Sequence, residues 1–517
     1  MAFNQMLYPQ VGLVNRRPLS VQKIVIGLLV AVGLGIALTV LVRTFTALVV
    51  EAGGSCGSSK GVSYGPCPRG TAPLMVLSII SLIPLIPLAW LMIFRSLKAR
   101  ETANRVFGVV LLGAIVVGVY PGLAIFEWAH GKTLDAVWEA PSEQSGSSSE
   151  DADGSWVSGS TVVRARFDGL SAYDIATGHQ RWTFPIPGRQ VLCLMSRHTS
   201  GDIGLIGFGA ESKPCDQVVA VDLGTGRQLW QQSRTSASLS ATLSPTPDTI
   251  DVVGQMAILS TPETITGVDL RTGTKHWSQE PGKNEVTTCR FDWAGGGTDQ
   301  VVAKVDCPRQ TPRIRALDAA TGRQRWESTV PSQADSVNVS LVSASPAVVH
   351  VQESGKRGTN NLLFFDGSGQ VRAKILTNAP DEPFDTSPAG FTAVPLWKLL
   401  AGNGVFVATT RFAKGHYSVI GFDLNDGRRL WSKTFGSSIE ALQVDGNQVL
   451  VVTGSSARPE LHVLSLRDGK QQGDTQVLGL SRMSSSTALY VQRDYYVFVG
   501  EKGYSPWYRP LGVTKRK

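Results

Sequence analysis

Six cysteines, seven histidines and a recurring aspartate are the residues of this 517-residue chain whose types could do chemistry. Thiols serve as metal ligands or redox centres when they sit at CxxC spacing, and as nucleophiles beside a base. No such spacing occurs among Cys56, Cys67, Cys193, Cys215, Cys289 and Cys307. An even number of well-separated cysteines points instead to disulfides. The histidines (His130, His179, His198, His276, His350, His416 and His462) contain no i,i+4 pair of the kind that binds zinc on a helix. His179 and His276 fall in turns beside tryptophans and are expected to face solvent. Gly61 to Gly65, GVSYG, has the spacing of a nucleophile elbow, but it lies between Cys56 and Cys67 without the required strand and helix. Asp366 opens DGSG and Asp423 opens DLNDG. Both resemble calcium loops, yet the spaced acids and final glutamate are missing. These residues read as turn acceptors and disulfide partners.

The elements that carry the aspartates repeat. AYDIATGHQRW ends at Trp182, AVDLGTGRQLW at Trp230 and GVDLRTGTKHW at Trp277. ALDAATGRQRW ends at Trp326 and GFDLNDGRRLW at Trp431. Weaker copies are FFDGSG from Phe364 and VLSLRDGKQQG from Val463. The anchors Asp174, Asp222, Asp269, Asp318, Asp366, Asp423 and Ser465 are 48, 47, 49, 48, 57 and 42 residues apart. Each unit reads as an alternating strand, a turn whose N–H groups the Asp accepts, a Gly at positive φ, and a returning strand. A period near 48 accommodates four short strands and their turns, which is one propeller blade. The Trp is expected to pack between blades with its N–H on an acceptor. The small residue two before the Asp is expected to leave room for a neighbouring ring.

This AxDxxTGxxxW pattern resembles the tryptophan-docking repeat of the quinoprotein family. That repeat occurs in pyrroloquinoline quinone dehydrogenases and in the propeller lipoprotein of the outer-membrane assembly machinery. The resemblance covers roughly 155 to 501 and implies an all-β propeller of four-stranded blades. Seven anchors predict seven blades. The tail from Thr487 to Gly500 either completes a ring-closing blade with strands near Trp156 or builds an eighth. Pro380 to Pro388 is the largest insertion and accounts for the 57-residue interval. Cys193 and Cys289 follow their repeat tryptophans at similar distances, and each precedes a second cysteine. This favours Cys193–Cys215 and Cys289–Cys307 among the three possible pairings.

The first 139 residues are of another kind. Residues 24–42, 71–94 and 106–126 carry no charge, and each is long enough to cross a hydrocarbon core as a helix. Gly118 and Gly122 have the GxxxG spacing of packed membrane helices. Pro84, Pro87 and Pro121 are expected to kink their helices. The first span reads as an uncleaved anchor, because no Ala-x-Ala site follows it. Arg16, Arg17, Lys23, Arg95, Lys98, Arg100 and Arg105 place the N-terminus and the second loop in the cytoplasm. All six cysteines then share the other side, with Cys56 paired to Cys67, as an oxidising compartment requires. Residues 140–154 are acidic, lack large apolar side chains and read as a flexible linker. The expected domains are a three-helix membrane module (1–139), the linker, and an extracytoplasmic propeller (155–517). This plan resembles membrane-anchored actinobacterial proteins.

Composition agrees. Charged residues are 17% of the chain, and the formal net charge is +8. Much of the basic excess lies at membrane flanks, so nucleic acid is not the expected partner. The apolar content and twelve tryptophans exclude wholesale disorder. The expected function is a non-enzymatic binding or assembly platform in the cell envelope, with the bilayer and envelope proteins as partners and no cofactor. Two alternatives stand beside it. One is a membrane-bound dehydrogenase using pyrroloquinoline quinone and calcium. In that family a vicinal disulfide covers the quinone, and this chain has no adjacent cysteines. The other is an envelope ligand sensor.

Overall fold

The computed structural model describes residues 21–52, 58–59, 62–63, 70–98, 102–143, 151–211, 213–234, 249–282, 288–332, 334, 336–355, 358–387, 391, 393, 398–454, 459–480, 486–502 and 508–516. The chain divides into a helical unit (Met1–Leu48 with Pro68–Gly131) and a β unit (Val49–Cys67 with Lys132–Lys517). Cys56 and Cys67 lie outside the described residues.

The helical unit contains α1 (Val21–Ala52), α2 (Thr71–Lys98), α3 (Thr102–Val117) and α4 (Val119–His130). The last two form one apolar stretch. The three stretches are 29, 28 and 27 residues long and sufficiently apolar to cross a membrane. α2 runs on through Pro84 and Pro87. Leu77, Ile80, Ile83, Val109 and Val116 are exposed. Surface of this kind is at home against lipid. A Cβ on Gly118 would lie 2.4 Å from the Val32 oxygen, and one on Gly35 would lie 2.0 Å from the Ile115 oxygen. These glycines let the first and third stretches touch backbone to backbone. Gly122 does the same against Ile36 and Thr39.

Among the described residues, the β unit is built from eight four-stranded sets, and all but the last follow chain order. Blades 1 to 6 cover 152–185, 190–233, 250–279, 290–329, 337–376 and 399–435. Blade 7 covers 439–479. Blade 8 takes three strands from the tail, Thr487–Gln492, Tyr495–Gly500 and Leu511–Lys515, and its outer strand from Lys132–Glu139. The first strand of each set touches the first strand of the next, and blade 8 returns to blade 1, so the ring closes. The second strands are buried along nearly their whole length, as in Ile203–Ala210 and Val405–Thr409. They lie between neighbouring blades and read as unbroken apolar runs. Outer strands such as Arg429–Phe435 alternate instead.

One sequence expectation changes here. The seven anchors left seven or eight blades open, and eight four-stranded sets are present, the eighth without an aspartate repeat. The closing strand comes from residues assigned to the membrane module, not from near Trp156. Lys132–Glu139 pairs antiparallel with Leu511–Lys515 and parallel with Gln476–Gly479. It also supplies Trp138. Its charges had set it beside the linker, yet a strand at a blade edge tolerates charge on its solvent face. The ring of blades thus begins at residue 132, and its first inner strand begins at Ala152 rather than 155.

Candidate functional site

The repeat residues form the seams between blades. Asp174 Oδ1 accepts the Ala176 and Thr177 N–H groups and the Thr177 hydroxyl at 2.9–3.0 Å. Asp222, Asp269 and Asp318 hold Thr225, Thr272 and Thr321 in the same way. Asp366 accepts from Ser368 and Gln370, and Asp423 from Asn425. Each carboxylate is spent on its own turn. In blade 4, Arg325 also holds the Asp318 carboxyl, with Thr321 assisting, and its pKa falls to about 2. His179 and His276 are exposed in these hairpins.

Each repeat tryptophan reaches into the next blade. The indole N–H groups of Trp182, Trp230, Trp277 and Trp431 donate to the carbonyls of Leu223, Leu270, Ala319 and Leu466 at 2.8–3.1 Å. Trp326 instead stacks on Phe365 of blade 5, with centroids 5.4 Å apart. The ring face of each lies on the turn glycine of the following repeat. A Cβ on Gly226, Gly322, Gly369 or Gly469 would come within 2.5–2.6 Å of the indole atoms of Trp182, Trp277, Trp326 or Trp431. That glycine therefore serves both the positive φ and the seam. The small residue two before the Asp has another neighbour than expected: Gly267 and Gly421 make room for Trp277 and Trp431 of their own blade. Trp138 closes the ring by the same device, donating to the Ile175 carbonyl at 2.6 Å and covering Gly178. It lacks the repeat motif and was not among the sequence candidates.

The cysteines pair as Cys193–Cys215 within blade 2 and Cys289–Cys307 within blade 4. The described part of the insertion after blade 5 is anchored rather than free. Phe384 is buried in the blade 5–6 core, where Ala373 occupies the place of a repeat tryptophan. Phe391 is buried among Ala140, Ala152, Val162, Ile175 and Ala488 of blades 1 and 8. Ala393 donates its N–H to the Asp153 carbonyl at 2.9 Å.

A cavity of about 740 Å³ lies on the ring axis, walled by the first strands of blades 2 to 6 and by Ala393. Its titratable lining residues are Arg197, His198 and Asp251. The turn that carries the first two is built by Ser196. The Ser196 hydroxyl donates to the His198 carbonyl and accepts the Leu205 N–H, and its carbonyl accepts from Trp156. Asp251 is buried and ties three blades together. It accepts the backbone N–H groups of His198 (3.0 Å), Val252 (2.9 Å) and Gly296 (2.8 Å), and lies 3.2 Å from His198 Nδ1. A Cβ on Gly296 would lie 3.0 Å from Asp251 Oδ2, so glycine lets the backbone approach the carboxylate. Burial pushes the Asp251 carboxyl up, but the His198 contact and these N–H donors prevail and hold it below the usual range. Burial likewise works against a charged His198, and the Asp251 contact overrides it, so the imidazole pKa is raised. Burial lowers the Arg197 pKa, opposed by the charge of Asp251. Arg197 lines the cavity and is exposed as a residue. Sequence patterns could not find this group, because Asp251 and Gly296 lie 53 and 98 residues from His198 and carry no motif.

The cavity does not suit the calcium-bound quinone. Its one carboxylate has both oxygens occupied, and no Asn, Gln or Glu lines it among the described residues.

A family model described as outer membrane protein assembly factor BamB matches residues 131–291, 212–394 and 375–504. Three solved structures are similar. BamB from Moraxella catarrhalis is 15% identical, with TM-score 0.42, over 70% of this chain and 96% of that one. Sqt1 of Saccharomyces cerevisiae is 12% identical, with TM-score 0.43, over 73% and 99%. A europium-containing methanol dehydrogenase is 12% identical, with TM-score 0.42, over 70% and 84%. No curated protein matches the chain in sequence.

Proposed function

Because the chain belongs to the family described as outer membrane protein assembly factor BamB, we propose that it is a membrane-anchored, non-enzymatic binding platform of the cell envelope. The observation that carries a binding rather than a redox role is Asp251. Among the described residues, the one carboxylate lining the axial cavity is a structural acceptor shared by three blades, not a base poised for a substrate. The docked tryptophans make the ring a rigid frame on which loops can present contacts. We place the β unit outside the cytoplasm. The basic segments flank the opposite ends of the spans, and both described disulfides are of a kind kept in oxidising compartments. Envelope proteins are the proposed partners, with no cofactor in the cavity.

The test uses the full chain in nanodiscs, titrated with pyrroloquinoline quinone and calcium. Binding is followed by calorimetry, and dye reduction is assayed with alcohols and sugars. Neither saturable binding nor turnover is expected, and turnover would overturn the platform reading. A C-terminal alkaline phosphatase fusion is expected to be active in cells, and a silent fusion would reverse the orientation.

A further inference from the structure

Arg197 lines the axial cavity, where the charge of Asp251 acts on it without a direct contact. Among the described residues Arg197 makes no ion pair, and its one hydrogen bond is a 3.4 Å contact to the Val342 carbonyl. A guanidinium has five N–H donors in a planar fork, and the Val342 contact uses one of them. Asp251 does not satisfy them, because its oxygens are taken by His198 and by backbone N–H groups. That arrangement also orients the second donor. Asp251 holds His198 at Nδ1, and among the described residues Nε2 has no hydrogen-bond partner, so it donates into the cavity when the imidazole is protonated. The other walls are of two kinds. Hydroxyl-bearing residues are Ser343 and Ser345, and the partly exposed apolar lining residues are Trp293, Leu341, Ala393 and Leu400.

We propose that this cavity binds a small organic carboxylate, with its oxygens on the Arg197 fork, Nε2 of the protonated His198 imidazole as a second donor, and its apolar body against the cavity wall. The planar fork matches a carboxylate in two parallel hydrogen bonds. The apolar surface distinguishes an organic acid from a bare inorganic oxyanion. A volume of about 740 Å³ is in the range of ligand pockets. Asp251 is the positioning residue: it fixes the imidazole and does not touch the ligand. The site requires neither a quinone nor a docked protein, so it stands apart from the platform reading.

The experiment is calorimetry on the full chain in nanodiscs. The probes are acetate, 3-phenylpropionate and phthalate, the neutral amide of each, and inorganic phosphate. At least one organic acid is expected to bind saturably, with its amide weaker by about tenfold or more, the usual weight of a charge-assisted contact. Arg197→Gln is expected to remove that difference while keeping the unfolding midpoint, since the side chain makes one weak contact with the protein. His198→Gln is expected to weaken acid binding several-fold and to flatten its rise toward acid pH. The groups facing that imidazole are Asp251 and Arg197. Equal binding of acid and amide, or an unaffected Arg197→Gln protein, overturns the proposal. So does the absence of saturation by every acid at millimolar concentration. Phosphate binding more tightly than all the acids would assign an inorganic oxyanion instead and overturn the carboxylate. None of these outcomes depends on quinone turnover, so failure here is distinguishable from failure of the platform reading.

Discussion

The docking seam makes a quantitative prediction through Trp277 and Gly322. Trp277 is buried, donates to the Ala319 carbonyl at 3.0 Å, and lies on Gly322 of the next blade. Trp277→Ala is expected to cost about 4 kcal/mol, the range of large aromatic truncations. Trp277→Phe keeps part of the ring contact and loses the N–H bond, for about 1–2 kcal/mol. Gly322 adds a separable pair of effects. Its φ is +70°, where a Cβ costs about 1 kcal/mol, and that Cβ would lie 2.5 Å from Trp277 Cδ2. Overpacking of this kind costs a further ~1–3 kcal/mol. Gly322→Ala should therefore cost about 3 kcal/mol in the native protein but about 1 kcal/mol in a Trp277→Ala background. The coupling of about 2 kcal/mol is what identifies a docked ring. Urea unfolding of the full chain in nanodiscs, read by pulse proteolysis of the β unit, measures all four corners of the cycle. If Gly322→Ala costs the same with and without the indole, the seam is not held in this way.

Three further outcomes are expected. Burial, with the Lys433 charge adding, lowers the His462 pKa to about 4, and the ring contacts Thr453, Thr475 and Phe435. The unfolded chain then takes up a proton between pH about 6.5 and 4 that the folded chain refuses. The contribution of neutral His462, on the order of 2 kcal/mol, is complete above that window and lost as pH falls through it. His198 has the opposite sign, contributing stability at acid pH that fades as pH rises. His462→Gln should flatten the acid slope of the unfolding midpoint, and an unchanged slope would sink the assignment. Replacing Cys193 and Cys215 by serine opens a loop of 22 residues and should cost about 3 kcal/mol. The Cys289–Cys307 pair should cost a similar amount, additively, in the same denaturation assay. A fragment of residues 131–517 should unfold at higher urea than one of 155–517. The shorter fragment lacks Trp138 and Glu143, and it strands the buried Arg164 that Glu143 pairs. Breaking such a pair costs about 3–5 kcal/mol. Equal midpoints would mean that the closing strand adds nothing.

What was legible in the sequence was whatever repeats. Five full copies ending at Trp182, Trp230, Trp277, Trp326 and Trp431 carry their own turn chemistry, so one copy explains them all. The apolar spans were equally plain, because lipid demands long uncharged runs. Blade 8 was not legible. Its strands come from the two ends of the propeller segment, Trp138 has no aspartate turn before it, and Lys132–Glu139 looks like the charged flank of a membrane helix. The cavity was illegible for a related reason. Arg197 and His198 share one turn after the first strand of blade 2 and Asp251 lies on blade 3, so ring geometry and not local spacing brings them together. The turn glycine was legible for its φ, yet contact across the seam is an equal reason for its presence.

The irregular repeat shows how the ring compensates. Blade 5 has Ala373 where a docking tryptophan would stand, and Ala373 meets Gly427 of blade 6 at 3.1 Å from the position of a Cβ. A small side chain there leaves a seam short of apolar surface. The insertion that follows supplies it: Phe384 is buried beside Ala373, Ile375 and Phe422. The same insertion then reaches blades 1 and 8, where Phe391 is buried and Ala393 bonds to Asp153. In a closed ring of eight sets those blades lie most of the way across from blades 5 and 6. The 57-residue interval is therefore not surplus length on a surface loop. It reinforces the seam without a tryptophan and the seam where the chain ends meet. It also sets Ala393 in the wall of the axial cavity. The Arg197 turn follows the end of an inner strand, whereas the insertion precedes the start of one, so the two approach the axis from opposite ends. A ligand entering by the Arg197 end would thus meet a cavity whose far wall is built by the element that braces the ring.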